Sequence, residues 1–287
     1  MAIKLSINKI VSHLKSAVII AVTGLIFILG YIFYLAQDLP SLDQLENYDP
    51  DLVTRIYSAD GEILDELYLE KRIFISLDQI PNNMKNAVIA SEDRRFYSHW
   101  GIDSRSILRA IAINIINLGY AQGFSSLTQQ VARTLYDTIG FKKTIIRKIK
   151  EIITAIQIER TYTKDEILEM YLNNVHFGHG TYGVQSASIY YFSKDVSELS
   201  LIESSLLVGL LPAPAIYSPI KYPERAERRK NLVIKVMNDL KFISDAQYQE
   251  AKNELIEISK YDYEYLIRLY TNLYLNLNRL FLICSLS

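Results

Sequence analysis

The stretch from Ala17 to Ala36, AVIIAVTGLIFILGYIFYLA, carries no charged residue. A helix needs about 20 apolar residues to cross the hydrocarbon core of a bilayer, so this run constrains the chain first. Lys4, Lys9 and Lys15 precede it, and Asp38, Asp43 and Glu46 follow. That asymmetry places residues 1–16 on the cytoplasmic side and everything after the span outside. The rival reading is a cleaved secretory leader, whose apolar core runs to about 7–15 residues and closes on a small-x-small cleavage site. This run is longer, and no such site ends it. A single-pass anchor over residues 17–36 is therefore expected.

Of the 287 residues, 49% are hydrophobic and 22% charged, which suffices for a large core. A net charge of −1 and a pI near 6.5 give no general attraction for nucleic acid, so any basic site must be local. The single cysteine, Cys284, excludes an internal disulfide and a cysteine-rich metal centre. Residues 37–50 are polar, hold two prolines and read as a linker. In RIYSADGEILDEL, the Asp60-Gly61 pair between apolar-rich runs predicts a hairpin. From Asn82 onward helical patterns dominate. Asp103 or Ser104 can cap one helix, and Thr163 with Glu166 forms a capping box for another. ELSLIESSLLVGLLPAP should end at its proline pair, and PERAERRKNLVIKVMNDL reads as a long polar-faced helix. A mainly α domain over 51–242 is expected, without internal repeats. The remainder, 243–287, is a C-terminal tail whose tyrosine-rich end, YDYEYLIRLYTNLYLNLNRLFLICSLS, has an apolar periodicity that suits partner or membrane contact rather than chemistry.

ASEDRRFYSHWG, Ala90 to Gly101, gathers acids, arginines, aromatics and a histidine, and suits a charged helix end as well as an active site. More information lies in the helix predicted over Thr144 to Arg160. Ile145, Ile149, Ile152, Ile153 and Ile156 share one face, expected to pack inward. Arg147, Glu151 and Ala155 then run along the opposite side, with Lys148 beside them. An Arg147–Glu151 pair on a surface is worth only about 0.3–0.5 kcal/mol. The region is nonetheless locally basic, with Arg133, Lys142, Lys143, Arg147, Lys148 and Lys150 in one loop-helix unit. Such a cluster outside a membrane suits a phosphate or diphosphate at the bilayer surface. GFSSLTQQVAR places hydroxyls and amides at a helix start, where free N–H groups attract an anion, although an ordinary capped helix reads the same way. GHGTYG spells a dinucleotide fingerprint but follows a helix instead of a strand, so a tight turn is expected. His99, His176 and His179 lack metal-binding spacing and are expected in packing or hydrogen bonds.

AVIASEDRRFYSHWGID, GFSSLTQQVAR, RKIKE, ILEMYLNNVHFGHGTYGVQSAS and ESSLLVGLLPAPAIYSP occur in that order. Together they resemble the five motifs of the peptidoglycan glycosyltransferases, glycosyltransferase family 51. The chain from about Asp38 to Leu240 looks like the glycosyltransferase half of the class A penicillin-binding proteins of the 1A type. The resemblance implies a lysozyme-like, mainly α fold with a small membrane-proximal jaw lobe. It also implies a bacterial cytoplasmic-membrane enzyme working on the outer, periplasmic face, with the N-terminus inside. Its substrates would be lipid II and the nascent glycan strand, joined by β-1,4 bonds with inversion and release of polyprenyl diphosphate. By this resemblance Glu92 is the general base and Glu151 the second essential carboxylate. Arg133, Lys143, Arg147 and Lys148 match the basic positions around the diphosphate. Asp93, Phe96 and His99 match residues that brace the site, and Ser126 and Gln130 match residues near the donor. Arg94 and Arg95 are left as ordinary surface or packing charges. A divalent cation, magnesium or manganese, often assists the diphosphate in this family, and no ligand set for one is legible here. Other cell-wall synthesis proteins are the partners such an enzyme implies.

The sequence departs from the family pattern in two places. Phe124 stands where a smaller residue is usual in the second motif. The serine transpeptidase domain that follows in class A proteins is not expected, since K-T-G is absent and one S-x-x-K match, Ser12 to Lys15, precedes the anchor. Two other readings compete with the glycosyltransferase. A lysozyme-like, glycan-cleaving enzyme needs an acid at the leaving sugar oxygen and has no use for a cationic clamp. An inactive truncated scaffold would keep the fold without the chemistry.

Overall fold

The computed structural model describes residues 2–37, 39, 54–57, 63–67, 73–117, 125–136, 144–254, 256 and 258. These residues are mainly helical. In chain order the helices are α1 (Ala2–Ala36), α2 (Asn82–Glu92), α3 (Ser104–Ile116), α4 (Leu127–Leu135) and α5 (Ile145–Thr161). There follow α6 (Lys164–Asn174), α7 (Val184–Phe192), α8 (Leu201–Leu210), α9 (Pro223–Asp239) and α10 (Asp245–Asn253). The chain divides into two compact units, residues 1–50 with 95–171 and residues 51–94 with 172–287.

In the first unit, the His13–Ala36 part of α1 is a predominantly apolar stretch of 24 residues, almost all exposed. At about 1.5 Å per residue it is long enough to span a bilayer. The three leading lysines belong to the same helix, which begins at Ala2. Its far end, where Leu35 is buried, lies in the unit in which α1 packs on α5. The start signals at Asp103 and at Thr163 with Glu166 are built as the sequence predicts. The Asp103 carboxylate accepts the Ser106 N–H at the head of α3. Ser126 caps α4 and Thr144 caps α5. The Thr163 N–H donates to Glu166 Oε2 at 2.7 Å, and the Glu166 N–H returns a bond to Thr163 Oγ1 at 3.3 Å.

Helix α5 reverses one expectation. Its buried residues are Glu151, Thr154, Ala155 and Ile158, whereas Ile145 is 81% exposed and Ile146 and Ile156 are also exposed. The isoleucine stripe is not the core face. Two contacts on the other side explain the reversal. Gly101, at φ +70°, lies so close to Ala155 that a Cβ on it would sit 3.0 Å from the Ala155 carbonyl oxygen. Glu151 sits among three cations that offset part of the cost of burying its charge, although its Oε1 accepts no hydrogen bond.

The second unit has an apolar three-helix core. Helix α8 is buried along nearly its whole length, as a helix apolar all round should be, and it stops before Pro212. It packs with α2 and α9, which contribute Met84, Ala87 and Val88, and Val233, Ile234 and Met237. Strands β1 (Thr54–Tyr57) and β2 (Ile63–Leu67) pair antiparallel as predicted, while the Asp60-Gly61 turn lies outside the described residues. Strands β3 (His176–Gly178) and β4 (Thr181–Tyr182) make GHGTYG a tight hairpin rather than a phosphate loop. The extended segment leading to α2 is tied down by Asn173, whose amide accepts the Ile75 N–H at 2.9 Å and donates to the Ile75 carbonyl at 2.8 Å. Gly183, at φ +79°, backs onto that asparagine, and a Cβ there would meet the Asn173 carbonyl oxygen at 2.7 Å. Gly183→Ala is therefore expected to destabilise the protein by about 2 kcal/mol or more. Thermal unfolding of the detergent-solubilised chain measures this, and an unchanged midpoint would contradict the packing.

Candidate active site

Helix α5 builds the site around one carboxylate. The Glu151 side chain has no solvent exposure. Its Oε1 faces Arg147 Nε at 3.2 Å, one turn back on the same helix, and Arg133 Nη1 at 3.6 Å from α4. Its Oε2 accepts from Lys148 Nζ at 3.0 Å. Lys148 Nζ also donates to Gln129 Oε1 at 2.6 Å and to Ser125 Oγ at 2.8 Å. The three cations keep 25%, 16% and 20% of the Arg133, Arg147 and Lys148 side chains exposed. The carboxylate is thus sealed while its partners still reach solvent. With three cations to one anion, the outward surface is positive.

Burial pushes the Lys148 ammonium below the usual lysine range. The Glu151 charge and hydrogen bond oppose that shift, and Arg133 and Arg147 add to it. Helix α4 presents its first N–H groups in this same unit, where Ser126 caps it and the Ser126 hydroxyl donates to the Gly101 carbonyl at 2.5 Å. Gln130 lies half-buried on the same helix.

The first-motif residues fall in both units. Glu92 ends α2, half-buried, and Asp93 caps that helix with its backbone, buried, in the second unit. Phe96 and His99 belong to the first unit, where Phe96 is fully buried and the His99 ring meets it edge-on at 6.4 Å. Arg95 pairs with Asp103, a packing role as expected, and Arg94 is exposed. Lys142 and Lys143 lie outside the described residues, as does Phe124. His176 packs on Tyr182, and His179 bonds Ser218 and stacks on Tyr190, so both histidines serve local structure. Ser218 to Lys221 also spells S-x-x-K, but its serine Oγ accepts the Lys221 N–H inside a turn. Among the described residues no group of three His, Cys, Asp or Glu side chains is gathered for a metal.

Sequence reasoning missed Ser125 and Gln129. Their spacing was informative, since Gln129 and Arg133 stand four residues apart on one face of α4 and Ser125 comes four before Gln129, just ahead of the cap. It also missed Glu159, whose partner Thr128 is 31 residues away.

Comparison with known proteins gives the class. The transglycosylase family model matches residues 60–238, more than half of the chain, which therefore belongs to the transglycosylase family, the peptidoglycan glycosyltransferases its motifs resemble. Penicillin-binding protein 1A of Aquifex aeolicus is 41% identical over 253 residues, covering 88% of this chain and 34% of that protein. Penicillin-binding protein 1A of Neisseria cinerea is 42% identical over 223 residues, 78% of this chain and 28% of the relative. The chain thus spans about a third of the length of these relatives. The crystal structure of penicillin-binding protein 1A from Haemophilus influenzae matches with a TM-score of 0.44 and 25% identity, over 78% of this chain and 24% of that one.

Because Glu151 raises the Lys148 pKa against burial, Glu151→Gln should lower it further. An NMR titration of the lysine side chains reads this shift directly. An upward shift or none would contradict the assigned electrostatics.

Proposed function

We propose that this chain polymerises lipid II into β-1,4-linked glycan strands on the outer face of the bacterial cytoplasmic membrane. The observation that carries the reading is the cluster of Arg133, Arg147 and Lys148 held around a sealed Glu151. In the reaction, Glu92 takes the proton from the acceptor's GlcNAc 4-hydroxyl as that oxygen attacks the anomeric carbon of the donor. The bond from that carbon to the diphosphate oxygen breaks, and the polyprenyl diphosphate leaves with the electron pair. Attack from the face opposite the leaving group inverts the anomeric centre. The leaving diphosphate needs positive charge, which the cluster and Lys143 supply where negative charge develops.

Glu151 acts by position in this scheme. Both of its oxygens face cations and its side chain is sealed, so it holds the clamp instead of moving a proton. Asp93, Phe96 and His99 support the base, and Gln130 lies near the donor on the helix that the buried Ser126 caps. Among the described residues no group of three His, Cys, Asp or Glu side chains accompanies the cations. A magnesium or manganese ion enters this reading only as a companion of the diphosphate.

The apolar span of α1 and its leading lysines support an anchor with the N-terminus in the cytoplasm. Exposed Ile145, Ile146 and Ile156 on α5, and Leu108, Ile115 and Ile116 on α3, support a unit lying against lipid. A glycan-cleaving enzyme would leave the cationic clamp without a purpose. Other cell-wall synthesis proteins remain the expected partners.

Detergent-solubilised chain should polymerise lipid II, and Glu92→Gln should lower kcat about 100-fold or more while leaving donor affinity nearly unchanged. Undiminished polymerisation by Glu92→Gln would refute the base. Release of soluble muropeptides from purified sacculi would instead favour cleavage.

A further inference from the structure

Glu159 stands on the same buried face of α5 as Glu151 and Ala155, two turns further along. It takes no part in the cation cluster, and only 4% of its side chain is exposed. Its Oε1 accepts from the Thr128 hydroxyl of α4 at 2.5 Å. The same oxygen faces Lys164 Nζ, at the head of α6, at 2.7 Å. Lys164 in turn lies 4.5 Å from the centroid of the Phe96 ring. One carboxylate therefore joins α4, α5, α6 and the turn that carries Phe96 and His99.

We propose that Glu159 is a positioning residue that fixes where α4 sits along α5, and so where Gln129 and Arg133 meet Glu151 and Lys148. The proposal rests on the diphosphate reading of that cluster. Helix α4 is fastened to α5 at two carboxylates about 12 Å apart along the helix axis. Thr128 binds Glu159, while Arg133 faces Glu151 directly and Gln129 reaches it through Lys148. Between them lies the Gly101 contact, where a Cβ would be 3.0 Å from the Ala155 carbonyl and 3.2 Å from Glu159 Cγ. The Gly101 carbonyl is itself bonded by Ser126, the cap of α4. A slide of α4 along α5 must break all of these contacts together. Thr128 is fully buried, so losing its hydroxyl bond leaves Lys164 as the one remaining partner recorded for Glu159 Oε1 and frees α4 from this carboxylate. The fixed register holds the clamp in shape before the donor arrives, which lowers the cost of binding it.

Thr128→Val keeps the side chain's shape and removes the bond, and Thr128→Ser restores it. Thr128→Val is expected to weaken binding of polyprenyl diphosphate about 10-fold and to move the Lys148 titration toward the ordinary lysine value. Thr128→Ser should return both readouts close to wild type. Lys164→Met, which removes the other partner, should shift both readouts in the same direction by a smaller factor. Unchanged diphosphate affinity and an unchanged Lys148 titration in both Thr128→Val and Lys164→Met would overturn the proposal, even if both variants melt at lower temperature. Neither readout requires turnover. Failure of the wild-type chain to polymerise lipid II would therefore strike the functional reading alone.

Discussion

A carboxylate without solvent contact, facing three cations, is the interaction on which the rest of this structure depends. An ionised Glu151 alone in the interior would be too costly to keep, because desolvation of a charge amounts to several kcal/mol. Arg133, Arg147 and Lys148 offset that cost, and each remains partly open to solvent. The cations in turn would repel one another without the glutamate. Lys148 records the balance, since burial lowers its pKa and Glu151 opposes the fall. A preassembled, outward-facing patch of positive charge results, which suits a diphosphate that gains negative charge as it leaves.

This interaction also sets the orientation of α5. A helix with a clear isoleucine stripe would ordinarily bury that stripe. Here the polar side is buried, because its carboxylates are satisfied by α4 and α6 and because Gly101 allows a close approach at Ala155. The isoleucines are left partly exposed in the unit that contains the apolar helix α1. Polar packing inside and apolar residues outside fit a domain working at the foot of a membrane anchor.

What could be read from sequence divides along physical lines. Helix caps at Asp103 and Thr163 depend on neighbours within four residues, and each formed as its spacing indicated. The apolar span and the β1–β2 pairing were legible for the same reason. Periodicity revealed that α5 is two-sided but could not say which side faces inward, because that depends on partners far along the chain. Glu159 was missed since its bond to Thr128 joins residues 31 positions apart. Ordered motifs gave the family and named Glu92, Glu151 and the basic positions. How tightly Glu151 is sealed, and that Gln129 and Ser125 share Lys148, required the fold.

The central claim, that Glu151 organises a cationic clamp for the leaving diphosphate, is tested most directly by titrating polyprenyl diphosphate into the detergent-solubilised chain and its Glu151→Gln variant. Simple charge counting says that removing a negative charge should tighten anion binding. If Glu151 positions the clamp, the variant instead binds about 10-fold or more weakly, because the cations lose the group that holds them together. Equal or tighter binding by Glu151→Gln would contradict the account.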